Sequence, residues 1–161
     1  MVLLGHPCIF RTLAVQKYPE TKFYIVGANP HSKIKRLCKD PHVVVTGFVQ
    51  NLNHYLNMAC VFVAPLRFST GIQTKILEAM SAGVPVVCSS LANEGLRAKV
   101  GQEILVADDP LDFASLVNEL MGHPEKARFV TKKARAFVER NLNWKLAVDR
   151  IGKIEKIVQG K

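Results

Sequence analysis

The chain has 161 residues, 48% of them hydrophobic and 22% charged, which is enough apolar material for one core and no sign of disorder or repeats. Its 22 Lys and Arg against 13 Asp and Glu give a net charge of +9, compatible with nucleic acid, an anionic membrane face or nucleotide diphosphates as partners. Met1 to Leu4 lacks a basic leader and no apolar run reaches the roughly 18 residues of a membrane helix, so secretion and membrane spanning are not expected and a cytoplasmic protein is.

In chain order, Val2-Leu-Leu4 is the only material for an opening strand, followed by a predicted helix at residues 8–18 that Pro7 starts and Pro19 ends. Residues 23–26, 43–45, 61–64, 84–88 and 104–106 are short runs of branched and aromatic residues without polar alternation. Strands covered on both faces of a parallel sheet read this way. Between them the spacing predicts helices at 32–39, 52–59 and 72–82, and after the last strand two amphipathic helices at 111–121 and 125–141 and a third at 145–158. The order implies an α/β fold, a doubly wound Rossmann-like parallel sheet with C-terminal helices, in one domain spanning 1–161. The cysteines (Cys8, Cys38, Cys60, Cys88) have no zinc-ligand spacing and read as reduced buried thiols; no metal site is expected.

Ligands of open α/β sheets bind beyond the carboxyl ends of the strands, where helix N-termini attract anions. Four loops lie there: 27–30, 46–49, 65–71 and 89–95. In the third, Gly71 permits close backbone approach, the following amides suit a diphosphate, and Lys75 is placed to reach the same phosphates. Glu78 lies three residues on, so it shares a face with Lys75. Two readings stand: an inward-facing carboxylate partnered by a ribose diol, or an i,i+3 salt bridge on a wet face. There is no G-x-G-x-x-G or P-loop sequence.

Thr46-Gly-Phe-Val49, Val63-Ala-Pro-Leu-Arg67, Gly71-Ile-Gln-Thr-Lys-Ile-Leu-Glu-Ala-Met80, Gly83-Val-Pro-Val-Val87 and Glu94-Gly-Leu96 together resemble the C-terminal half of GT-B glycosyltransferases of the group 1 or GT4 type, especially those of bacterial exopolysaccharide pathways. The resemblance implies a donor site for a nucleotide-diphosphate sugar and no separate cofactor. Lys75 and the amides of Gly71 and Ile72 would hold the diphosphate, and Glu78 the ribose; these two are the catalytic candidates. Phe48 and Val49 would frame the nucleobase, with core packing as the other reading of Phe48. Arg67 and Gln73 would meet the sugar or diphosphate. Thr70 stands where many relatives carry the first of two glutamates eight residues apart, which leaves the holding of the sugar and the stereochemical outcome open.

The resemblance further implies an acceptor, a glycan or a lipid-linked one, bound by an N-terminal domain that this sequence lacks. The 145–158 helix, with Trp144 before it, matches the one that crosses back to that domain. The isolated chain is then expected to bind donor without efficient transfer, and the basic residues imply peripheral contact with the inner membrane face. Two other functions fit the sequence: a non-catalytic nucleotide-binding scaffold, motivated by Thr70, and a basic nucleic-acid-binding domain. The absence of aromatics interleaved with the basic clusters at 31–36, 126–128 and 132–135 argues against nucleic acid as a partner.

Overall fold

The computed structural model describes residues 17–68 and 71–141. The opening strand at Val2–Leu4, most of the helix at 8–18, Thr70, Trp144 and the helix at 145–158 lie outside the described residues. Five strands and six helices follow in alternation. They are β1 (Phe23–Val26), α1 (Ser32–Lys35, continued as a 3-10 turn over Arg36–Lys39), β2 (Val43–Gly47), α2 (Leu52–Met58), β3 (Phe62–Ala64), α3 (Thr74–Ser81), β4 (Val86–Cys88), α4 (Ser90–Glu94), β5 (Leu105–Val106), α5 (Pro110–Gly122) and α6 (Pro124–Asn141).

All described strand pairs are parallel, as the unbroken apolar runs require. Among the described residues the strands form two ladders, β1-β2 and β3-β4-β5. β4 is central in the second and its three residues are fully buried. Pro85 has no amide to donate, so regular pairing starts only at Val86; its carbonyl accepts from Phe62 (2.9 Å) and anchors the start of β3.

α3 shows how one helix serves core and edge together. Ile76, Ala79 and Met80 recur at i, i+3 and i+4 and are buried against β3, β4 and α6, while Lys75 and Glu78 remain on the open side. Gly83 ends the helix at φ 81° and lets the chain turn straight into β4. α6 closes the domain through buried Val130, Ala134 and Phe137, and Arg140 donates to the buried carboxylate of Glu103 (3.0 Å).

Three expectations change. The 89–95 segment is not a plain loop but holds α4, started by Ser89, whose hydroxyl accepts from the Ala92 amide. The helix predicted at 72–82 begins at Thr74, leaving Ile72 and Gln73 in the preceding turn. Of the described cysteines only Cys88 is buried; Cys38 and Cys60 are exposed, and it is their neighbours Leu37, Ala59 and Val61 that pack against the core.

Candidate donor site

Because the strands of each ladder are parallel, the loops after β1 and β2 open on the carboxyl edge of one ladder and those after β3 and β4 on that of the other, and hydrogen bonds join the loops within each group. Gly27 donates to the carbonyl of Gly47 (3.1 Å), joining the loops after β1 and β2. Ser89 donates its hydroxyl to the Leu66 carbonyl (2.8 Å), and its amide to that of Ala64 (3.2 Å), tying the loop after β4 to the one after β3. Asp108 accepts from the Ser90 amide (2.9 Å), which adds the segment after β5.

The start of α3 faces the second of these edges. Gly71 holds φ 68°, a left-handed conformation that a side chain disfavours, and reverses the chain into the helix. Gly95 packs against the same turn: a Cβ there would meet the Gly71 carbonyl oxygen at 2.4 Å and its carbon at 2.8 Å. The Gly71 turn is thus held from below by backbone. No acidic residue occupies the first turn of α3, so no carboxylate there offsets the positive end of the helix dipole.

Lys75 Nζ donates to both carboxylate oxygens of Glu78 (2.8 and 2.9 Å), and the side chains are 52% and 41% exposed. Glu78 is therefore not inward-facing; the apolar positions of α3 fall one side over, on Ile76, Ala79 and Met80. In the described chain the salt bridge is the arrangement formed. An exposed i,i+3 pair contributes only about 0.3–0.5 kcal/mol, so stability does not explain its place at the mouth of the edge. Both groups are solvated and can separate at small cost when a ligand offers each a better partner.

Phe48 is 76% exposed, which overturns core packing as its role. It sits after β2 with Val49, which is half-buried; Arg67 is exposed after β3, and Ile72 is 55% exposed before α3. Among these residues Lys75 and Glu78 are joined by their ion pair. The sequence reading passed over three further residues. Asn53 and Asn57, one turn apart on α2, line a groove of about 520 Å³ with Glu78 and Ser81, and their i,i+4 spacing was the available signal. Gly95, the third, was visible as a motif letter but not as a support. Among the described residues no group of three or more His, Cys, Asp or Glu side chains is placed to hold a metal ion.

Residues 9–123 match the family model for group 1 glycosyl transferases. The chain belongs to that family. A curated relative, Glycosyltransferase 1 domain-containing protein 1 of Xenopus tropicalis, is 32% identical over 81 residues, half of this chain and 24% of that protein. The group 1 glycosyl transferase fold is shared with Anabaena Alr3699/HepE, solved in complex with UDP (TM-score 0.78, 17% identity, 92% of this chain and 44% of that one). It is shared also with the C-terminal domain of the group 1 protein LpcC of Francisella tularensis (TM-score 0.69, 14% identity, 89% and 83%). The fold is thus the C-terminal half of GT-B. The chain spans 24% to 30% of the length of the curated relatives it matches. No helix among the described residues is long and apolar enough to cross a membrane.

Proposed function

We propose that this group 1 domain is the donor-binding half of a glycosyltransferase that passes a sugar from a nucleotide diphosphate to a glycan or lipid-linked acceptor in polysaccharide synthesis. The observation that carries the reading is the start of α3. There a helix N-terminus with no acidic residue in its first turn, the Gly71 turn and an exposed Lys75–Glu78 pair lie on the carboxyl edge of a parallel sheet. On donor binding the pair exchanges partners: Lys75 turns to the diphosphate, and Glu78 accepts from the ribose hydroxyls. The exposed ring of Phe48 provides a stacking face for the base, and Arg67 and Gln73 approach the sugar or diphosphate; Val49, Thr70 and Ile72 complete the contact set.

As the glycosidic bond to the donor breaks, negative charge builds on the departing diphosphate. Lys75 and the amides of the α3 start, fixed in advance, stabilise it there. Transfer requires an acceptor-binding domain that closes over the donor and excludes water. HepE, of the same fold, is solved with UDP, which supports a uridine nucleotide as the first donor to test.

The test is calorimetric titration of the chain with UDP, GDP and ADP and their sugar conjugates, repeated on Lys75→Ala and Glu78→Ala. Each loss removes hydrogen bonds to a charged group and should weaken binding about tenfold or more. Stability should hold within about 0.5 kcal/mol, since the pair is exposed. Binding that neither substitution changes would remove α3 from the site.

A further inference from the structure

α1 and its 3-10 continuation carry Lys33, Lys35, Arg36 and Lys39, all exposed, and no Asp or Glu. The nearest acids in the sequence are Glu20 on one side and Asp40 on the other. Ile34 and Leu37, three residues apart, pack against the core and leave the four cations on the outer face. Elsewhere basic residues meet acids, as in Lys75–Glu78, Lys126–Glu119, Arg135–Glu139 and Arg140–Glu103. Among the described residues none of the four on α1 forms an ion pair.

Lys33 and Arg36 stand three apart, as do Arg36 and Lys39, and Lys35 and Lys39 stand four apart. Like charges at these spacings repel and disfavour a helix, so stability does not account for the cluster. With a rise of about 1.5–2.0 Å per residue the four span about 10 Å, close to the screening length of about 8 Å at 0.15 M salt. Their fields therefore add on whatever lies along the helix. Three of the four are lysines, point charges without the planar fork that reads one carboxylate or phosphate. No Phe, Tyr or Trp occurs from residue 27 to 42 to stack a base. Dense positive charge without stereochemical demand suits the headgroups of an anionic leaflet, to which basic clusters of this size on amphipathic helices are drawn.

We infer that the outer face of α1 is a docking surface for an anionic lipid bilayer, held by Lys33, Lys35, Arg36 and Lys39. α1 follows the 27–30 loop on the carboxyl edge of the β1-β2 ladder, where the Gly27 amide bonds to the Gly47 carbonyl beside Phe48. A leaflet on α1 thus lies next to the edge that carries Phe48, which sets a lipid-linked acceptor close to the donor. That consequence rests on the donor reading above, while the docking itself does not.

The experiment is co-sedimentation of the intact chain with vesicles of phosphatidylcholine alone or of equal parts phosphatidylcholine and phosphatidylglycerol. The chain should bind the mixed vesicles at about 0.15 M salt, leave them at about 1 M, where the screening length falls to about 3 Å, and ignore phosphatidylcholine. Each Lys or Arg near an anionic leaflet strengthens binding about fivefold, so Lys33→Gln, Lys35→Gln and Arg36→Gln together should weaken it roughly a hundredfold. Lys33→Arg with Lys35→Arg should keep it. Replacing exposed Arg128, Lys132 and Lys133 of α6 by Gln removes equal charge elsewhere and should weaken it about threefold at most. Should the α1 triple variant not fold, Lys33→Glu alone carries the comparison. Equal binding to phosphatidylcholine, binding that survives the higher salt, or equal weakening by the two triple variants would overturn the inference. So would capture of RNA by the α1 residues with no uptake on vesicles. Loss of UDP binding with vesicle binding intact would fault the donor reading and leave the docking surface standing.

Discussion

At the scale of single residues, two positions make opposite demands on space. Gly95 has an ordinary φ of −72°, so its lack of a side chain serves contact and not conformation. Its missing Cβ leaves room for the Gly71 carbonyl, and because the obstacle is backbone it cannot rotate away. Gly95→Ala should therefore cost about 1–3 kcal/mol and displace the turn that starts α3. Thermal unfolding would measure the first effect and a drop in nucleotide affinity the second. Cys88, in the middle of the core, is pushed up from an ordinary 9.0 to about 12 by burial first and the Asp108 charge second. The folded state thus holds this proton more tightly than the unfolded one. Its stabilising contribution is complete below about pH 9 and is lost as pH rises from there through about 12. The unfolding free energy of the native chain should fall more steeply with pH than that of Cys88→Ala across that window. At neutral pH thiol reagents should modify Cys38 and Cys60 and spare Cys88.

At the scale of elements, adjacent aspartates divide the work of the segment after β5. Asp108 accepts from Ser90 and steadies α4, whereas Asp109 caps α5, accepting from the amides of Leu111 (2.8 Å) and Asp112 (3.2 Å) with Pro110 in the first turn. Asp109→Ala should cost about 1 kcal/mol in denaturant unfolding, the usual worth of an N-cap, without altering nucleotide affinity. This cap shows what was legible beforehand. The strands could be read because Val, Ile and Phe run without polar breaks at 23–26, 43–45 and 86–88, and α5 and α6 because their apolar residues keep helical spacing over many turns. α4 could not, since five residues give no period and Ser89 reveals itself only by the bond it makes. The Lys75–Glu78 pairing followed from spacing alone. The exposure of Glu78, the freedom of Phe48 and the contact of Gly95 with Gly71 depend on which elements meet, and local sequence does not encode that.

At the scale of the whole molecule, the charge of +9 bears on how an anionic ligand arrives. Several basic residues are neutralised in pairs, Lys126 with Glu119, Arg135 with Glu139 (3.7 Å) and Arg140 with Glu103, but pairing takes up acids and bases alike and leaves the excess of nine on the rest. The rest acts at long range, reaching about 30 Å at 0.01 M salt and about 8 Å at 0.15 M. A nucleotide diphosphate steered by this field should bind several-fold more slowly at the higher salt, while its dissociation, set by Lys75 and the α3 amides, changes little. Lys132 and Lys133 are exposed on α6 and lie apart from the donor-site loops in sequence. Their joint replacement by Gln should flatten the salt dependence of association and leave dissociation as it was. Stopped-flow measurement of both rates across salt concentrations checks this. A wild-type association rate indifferent to salt would mean that the basic surface serves solubility and takes no part in donor capture. A nucleic acid would behave differently, its affinity falling linearly on a double-logarithmic salt plot with a slope that counts phosphates. If DNA or RNA showed that steep slope and UDP no binding, the positive surface would be the functional one and the α3 start a structural helix end.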